Sequence, residues 1–140
     1  TLPAWMAHCA PIERVVVCVR HPDAVARSLH RRNHIWLGLG LRQWTEHNRR
    51  LLDATNDLDV WIVDYHRLSA PKSFIAEITP VLHFMDLDDP GDRLHELRDR
   101  VLVSPANDVE LSDDALPEPT RRLWQCFVDK HRAQYNGAGA

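Results

Sequence analysis

Arg20 and Ser28 are the residues of this sequence whose types and spacing first suggest chemistry. Arg20 ends an apolar run, Val15–Val19, and Ser28 follows it eight residues later. A guanidinium and a hydroxyl near the start of a helix could bind a phosphate together, because planar N–H donors match phosphate oxygens and a helix N-terminus favours an anion. The alternative is that Arg20 forms an ordinary ion pair with Asp23 or Asp64. In that case Ser28 is a surface residue of the helix.

Two short apolar runs must position these side chains. The first, Val15–Val19, has no polar alternation, which indicates a strand covered on both faces. The second, Asp59 to Val63, has the same character and leads directly into Asp64-Tyr65. Helical patterns separate the two runs and predict a β–α–β unit with parallel strands. We therefore expect Arg20 and Tyr65 to leave the sheet at its carboxyl edge, where open α/β sheets bind ligands.

The remaining elements are predicted from helical spacing, proline positions and turn residues. Pro80 falls inside one predicted helix and is expected to kink or split it. Residues 103–116 show little periodicity and are expected to form a loop. The predicted helices are Leu2 to Ala10, Pro22 to about Arg32, Trp36 to Ala54, Pro71 to about Met85, Asp92 to Leu102 and Pro119 to about Tyr135.

Length and composition exclude several classes of protein. The chain has 140 residues, which is enough for one domain with a real core, and a net charge of −3. A mildly negative chain is not expected to bind nucleic acid through its bulk charge. No apolar stretch is long enough to span a membrane. The three cysteines have no metal-binding spacing and their number is odd, so that we expect reduced thiols and a cytoplasmic protein.

The segment VVVCVRHPDAVARSL resembles the second nucleotide-binding motif of the PAPS-dependent sulfotransferases. In that family a buried strand ends in Arg, continues through Asn-Pro or His-Pro, and carries a Ser eight residues after the Arg. The segment Asp64-Tyr65-His66-Arg67-Leu68 is similar to the family's Tyr-Glu-Asp-Leu segment. Phe84-Met85-Asp86-Leu87 is similar to its Phe-Leu-Gly-Leu segment. The resemblance covers roughly residues 1–87.

The resemblance implies both a function and a donor site. Arg20 and Ser28 would hold the 3′-phosphate of 3′-phosphoadenosine 5′-phosphosulfate (PAPS), Tyr65 would lie near the adenine, and His21 could contact a phosphate oxygen. The chain would help to transfer a sulfuryl group from PAPS, as co-substrate, to a hydroxyl or amine of a small-molecule, glycan or lipid acceptor. No metal is required.

The resemblance also implies a fold. We expect an α/β chain forming part of a P-loop-NTPase-like three-layer fold, with parallel strands, flanking helices and a helical C-terminal part. Residues 1–135 would be the C-terminal portion of a single sulfotransferase-like domain, and residues 136–140 a flexible tail. Because two parallel strands leave open edges, we expect further strands to stand beside them.

The sequence also departs from the family. The family's Gly-rich phosphosulfate-binding loop is not found in these residues, and neither is its basic or His-containing catalytic segment. No catalytic residue can therefore be assigned, and the fragment alone is expected to be inactive. The acceptor and the oligomeric state cannot be read from the sequence.

Two other functions fit the same pattern. The chain could be a non-catalytic interaction or regulatory module that kept the fold, or part of another P-loop-like enzyme such as a nucleotide kinase. A kinase relative is expected to have an Arg-rich lid and magnesium-binding carboxylates, and the sequence shows no convincing lid.

The other histidines and the tryptophans are expected to have mainly structural roles. Helical His131 is interpreted as a solvated position, as are His30, His47 and His95. The tryptophans are expected in the core and at interfaces. Trp36 and Trp44 could line an acceptor pocket.

Overall fold

The computed structural model describes residues 12–88, 90–91, 93–101 and 112–137. Over these ranges the protein is a mixed α/β structure, mostly helical, with two parallel strands. The predicted α/β class with flanking helices and a helical C-terminal part is confirmed at this level. The elements are β1 (Arg14–Val19), α1 (Pro22–Asn33), α2 (Leu37–Ala54), β2 (Asp59–Asp64), α3 (Tyr65–Ser69), α4 (Phe74–Phe84), α5 (Arg93–Val101), a 3₁₀-helix (Asp113–Ala115) and α6 (Glu118–Gly137).

The predicted β–α–β unit is present. Strands β1 and β2 pair in parallel, with Arg14 opposite Asp59 and Val19 opposite Asp64. Helices α1 and α2 connect them and pack closely on each other. Gly40 makes this possible, because a Cβ placed there would lie only 3.0 Å from the Cα of Ala26.

Helix α1 begins and ends where its sequence predicts. Pro22 occupies the first turn, where its missing N–H has no partner to lose. At the other end His34 adopts a left-handed conformation with φ of 55°, and its amide donates to the carbonyl oxygen of His30. The helix predicted from Pro22 to about Arg32 therefore ends at Asn33, one residue beyond the prediction.

The core lies between one face of the sheet and helices α2 and α6. Val17, Val19 and Ile62 project from the strands and pack with Trp44 and Phe127. The aromatic rings of Trp44 and Phe127 meet edge to face with centroids 6.2 Å apart. The hydrophobic contacts across this layer hold the helices in place.

The opposite face of the sheet differs from the expectation. Helix α4 covers β2, with the Phe84 ring against Trp61. On β1, however, Val16 is 37% exposed and Cys18 is also exposed. The prediction that β1 is covered on both faces is therefore wrong for these described residues. On this side helix α4 packs on β2 and contacts β1 at Arg14, which donates to the Phe84 carbonyl oxygen, but it leaves Val16 and Cys18 exposed.

The outer edge of β2 is closed by a side chain from α6. The amide of Gln134 donates from Nε2 to the carbonyl oxygen of Val60 (2.5 Å) and accepts from the Ile62 N–H (3.0 Å). These two bonds occupy the positions that a neighbouring strand would use. They satisfy backbone groups that a buried edge cannot leave unpaired.

Several element boundaries differ from the sequence prediction. The short helix α3 begins directly after β2 and was not predicted. Helix α4 runs through Pro80 without being split. Helix α6 continues through Asn136 and Gly137, whereas the tail was predicted to begin at residue 136. The predicted helix from Leu2 to Ala10 lies outside the described residues.

No helix among the described residues is long and apolar enough to cross a membrane.

Candidate functional site

The two strands end side by side. Val19 pairs with Asp64 as the last residue pair of the ladder, so the residues that follow each strand meet at the carboxyl edge. The Arg20 guanidinium lies over the Tyr65 ring, with the guanidinium carbon 4.7 Å from the ring centroid. Two of the four predicted donor-binding residues are thus brought together.

The backbone at the end of β1 is held from α2. The indole Nε1–H of Trp44 donates to the carbonyl oxygen of Arg20 (3.1 Å). Trp44 is almost fully buried, and this bond already uses the only polar atom of its side chain. That atom therefore cannot contact an acceptor in a pocket. Trp36, the other residue proposed for that pocket, is 75% exposed.

The carboxylates that could have paired with Arg20 have other partners. Asp23 binds Nε of Arg27 within α1 (2.7 Å). Asp64 caps α3 by accepting from the His66 N–H (2.7 Å). Within the described ranges Arg20 makes no ion pair.

His21 caps helix α1. Its Nδ1 accepts from the Asp23 N–H (3.3 Å), so that the proton of the neutral ring lies on Nε2, which is 2.9 Å from Asp113 Oδ1. The ring is buried and meets Trp124 edge to face at 5.1 Å. Both ring nitrogens are thus occupied, and contact with a phosphate would require the bond to Asp113 to be exchanged.

Ser28 lies about two turns into α1 and is partly exposed. Its hydroxyl makes no hydrogen bond within the described part of the chain, so it neither contacts Arg20 directly nor caps the helix. It remains available as a hydrogen-bond donor.

A buried carboxylate lies behind this edge and was not predicted from the sequence. Glu77 of α4 is completely inaccessible to solvent. Its Oε1 accepts from the Asp64 N–H and from Nε2 of His131, both at 2.8 Å, and its Oε2 accepts from Nε of Arg67 at 2.8 Å. One side chain thereby ties the end of β2 to α3 and α6.

The electrostatics of Glu77 follow from these bonds. Burial by itself raises the pKa of the carboxyl, but the hydrogen bonds from its three donors outweigh burial and hold the pKa below its ordinary value. Tyr135 donates its hydroxyl to the Glu77 carbonyl oxygen (2.8 Å). Burial, with the nearby carboxylate, raises the pKa of the Tyr135 phenol.

The interpretation of His131 as a solvated residue is wrong. Its ring is held by Glu77 and stacks on Tyr135 with centroids 4.5 Å apart. The signal for Glu77 was present in the sequence: it lies three residues after Phe74 and four before Val81, and both of these are buried on α4. A polar residue on that stripe must face the interior.

Two open cavities lie at opposite ends of the sheet. One, of about 340 Å³, opens at the carboxyl edge between the strand ends and α6, and its lining includes Val19, Asp64 and Arg67. A larger one, of about 650 Å³, lies near the start of β2 and includes Asp53 and Lys130 in its lining. The smaller cavity is at the edge where parallel sheets bind ligands.

The described residues contain no group of three or more side chains that could hold a metal ion. Comparison with protein-family models, with curated proteins and with solved structures finds no match.

Proposed function

We propose that this chain forms the 3′-phosphate and adenosine side of the donor site of a PAPS-dependent sulfotransferase. The observation that carries the proposal is the position of Arg20, which lies on the Tyr65 ring at the carboxyl edge of a parallel sheet and has no carboxylate partner among the described residues. The sequence resemblance assigns these same two residues to the donor.

The absence of an ion pair at Arg20 within the described residues supports the binding of an anion. An unpaired guanidinium keeps its planar set of N–H donors for a ligand, and a phosphate can accept two of them at once. Its contact with Tyr65 orients the guanidinium without neutralising its charge. An ordinary ion pair with Asp23 or Asp64 would have argued against a ligand role, and neither pair forms.

Ser28 and Tyr65 complete the proposed contacts. The Ser28 hydroxyl has no partner among the described residues and could donate to the same phosphate. Tyr65 is 39% exposed, so that part of its side chain is accessible to an adenine base. His21 belongs to the proposed set only as a residue beside Arg20, because its ring nitrogens are already bonded.

The fold is consistent with this assignment. Two parallel strands joined by helices, with polar side chains at their carboxyl ends, are what a partial P-loop-like three-layer fold requires. Arg20 and Ser28 would contribute binding energy remote from the reacting sulfur, and such energy can align the donor for in-line transfer to an acceptor hydroxyl or amine. The proton acceptor of that reaction is not assigned to any residue of this chain.

Calorimetric titration with 3′-phosphoadenosine 5′-phosphate tests the proposal. Adenosine 5′-phosphate, which lacks the 3′-phosphate, is the matched ligand. We expect the bisphosphate to bind more tightly, and Arg20→Ala to weaken it by about 1.5–3 kcal/mol through loss of a charge-assisted contact. Ser28→Ala is expected to weaken binding of the bisphosphate by about 1 kcal/mol, as for the loss of a neutral hydrogen bond.

Arg100→Ala is the control for charge. Arg100 is an exposed residue of α5, which contributes no residue to the proposed site, so its loss changes the net charge equally. Binding that is absent, or that responds equally to the Arg20 and Arg100 variants, would favour a non-catalytic module with the same fold.

A further inference from the structure

The cavity at the carboxyl edge, here called the edge pocket, has the walls of a small ligand site. It opens between Val19 and Asp64, the last residues of the two strands, and one stripe of helix α6. Its volume of about 340 Å³ lies at the lower end of the range that small-molecule sites occupy. Its lining combines apolar side chains with two arginines and a histidine.

Arg67 is held in the wall of the edge pocket by a buried acid. Its Nε donates to Oε2 of Glu77, which solvent does not reach. Its terminal nitrogens make no hydrogen bond within the described ranges, and the side chain is 44% exposed. Glu77 therefore fixes the guanidinium while leaving its outer donors for a ligand, as supporting residues do in binding sites.

A further donor stands on α6. Arg132 lines the edge pocket, is exposed, and makes no ion pair with any described residue. The neighbouring His131 donates from Nε2 to Glu77, so that Nδ1 of its neutral ring is an acceptor and does not help to hold an anion. The Asp64 carboxylate also borders the edge pocket, but it is committed to the cap of α3 through the His66 N–H.

The side of the edge pocket nearer the start of α6 is apolar. Trp124 and Val128 line it from α6, one helical turn apart and in line with His131 and Arg132 further along the helix. A ligand that uses both sides must have a charged group at one end and an apolar body at the other.

We propose that the edge pocket binds a small organic anion, whose acidic group is held by Arg67 and Arg132 and whose apolar body lies against Trp124 and Val128. A carboxylate on an aromatic or short aliphatic body fits this description, since a carboxylate accepts the paired donors of a guanidinium. The site uses neither Arg20 nor Ser28, so that it does not depend on the proposed donor site.

Titration of the ¹⁵N-labelled chain with benzoate, followed by amide chemical shifts, tests the proposal. Benzamide, which has the same shape without the charge, is the matched ligand. We expect saturable shifts at Arg67, His131 and Arg132 with benzoate, and binding of benzamide that is at least about tenfold weaker because a charge-assisted contact is lost. Arg132→Gln should weaken benzoate binding by about tenfold or more.

Lys130→Gln is the control for Arg132→Gln. It removes the same charge from the same helix, but Lys130 lines the larger cavity at the other end of the sheet. A second variant, Val128→Trp, should fill the apolar side and abolish benzoate binding while keeping every charge. The proposal is overturned if benzoate gives no saturable shifts, if benzamide binds equally well, or if the Arg132 and Lys130 variants behave alike.

Discussion

The guanidinium of Arg20, which follows β1, lies over the ring of Tyr65, which follows β2. The guanidinium carbon is 4.7 Å from the ring centroid. The contact exists because the strands are parallel and end in register at Val19 and Asp64. A shift of the register by one residue would send Tyr65 to the other side of the sheet. The geometry of the candidate site is therefore set by the pairing of β1 with β2.

The first prediction concerns the ring of Tyr65. Tyr65→Phe should leave binding of 3′-phosphoadenosine 5′-phosphate within about 1 kcal/mol of wild type, because a phenyl ring still supports the guanidinium. Tyr65→Ala should weaken binding of the same ligand by about 1–3 kcal/mol, because the ring on which a base can stack is lost. Calorimetry of both variants measures the difference. Equal losses in the two would assign the role to the hydroxyl instead.

The second prediction concerns the buried carboxylate. Glu77→Gln should destabilise the protein by about 1–3 kcal/mol, because an amide cannot accept from both Arg67 and His131 and leaves one of these donors facing an amide N–H. Urea denaturation followed by circular dichroism measures the change. Glu96→Gln, at an exposed position on α5, is the control and should stay within about 0.5 kcal/mol of wild type. A small effect at Glu77 would mean that its three bonds contribute little net stability.

The third prediction is the pH dependence that follows from Glu77. Its pKa in the folded state is depressed, so its contribution to the free energy of unfolding is present above the unfolded pKa, about 4.3, and is lost as pH falls through the lower folded pKa. Wild-type stability should therefore fall more steeply than that of Glu77→Gln as pH drops from about 5 to about 3.

Exposed acids such as Glu46 and Glu118 also have lowered pKa values and contribute to the acid response of both proteins. The difference between wild type and Glu77→Gln isolates the buried carboxylate from them. Denaturation midpoints measured across this pH range provide the comparison. Parallel curves for the two proteins would contradict the assignment.

The sequence predicted those features of the site that depend on strand order. The runs around Val17 and Ile62 identified two strands, the helical pattern between them implied a parallel pair, and that topology placed Arg20 beside Tyr65. None of these steps needs long-range information beyond the rule that a crossover makes strands parallel. The Arg20–Tyr65 contact is the consequence.

The environment of Glu77 could not be predicted in the same way. Glu77 was not predicted to be buried, although it lies on the α4 stripe of Phe74 and Val81, and its three partners come from β2, α3 and α6. Its bond to His131 joins residues 54 positions apart. Helical spacing within α6 places His131 on the same stripe as Phe127, yet the identity of its partner depends on how α6 packs. For the same reason the exposure of Val16 was missed, because a run of apolar residues does not say which helices will cover it.

The fourth prediction concerns the bond that holds the end of β1. Trp44→Phe keeps a buried ring but removes the donor to the Arg20 carbonyl oxygen. It should lower the free energy of unfolding by about 1–3 kcal/mol, because the acceptor is left unsatisfied and ring volume is lost. Trp36→Phe, at an exposed position, should stay within about 0.5 kcal/mol of wild type. Urea denaturation of the pair, monitored by circular dichroism, makes the comparison. If the two variants are equally stable, the Trp44 bond does not position Arg20.

The last prediction compares two glycines in the first turn of α2. A Cβ at Gly38 would meet the ring of exposed Trp36 at 2.7 Å, and that flexible side chain can move away. A Cβ at Gly40 would lie 3.0 Å from the Cα of Ala26, so the backbone of α1 would have to shift.

Alanine has the higher helix propensity, by about 1 kcal/mol. Gly38→Ala should therefore stabilise the protein by up to about that amount, while Gly40→Ala should destabilise it by about 1–3 kcal/mol through overpacking. Thermal melts of the two variants should move in opposite directions. A gain in stability for Gly40→Ala would show that α1 and α2 can separate slightly at no cost, and that the position of Arg20 at the end of β1 does not depend on their close packing.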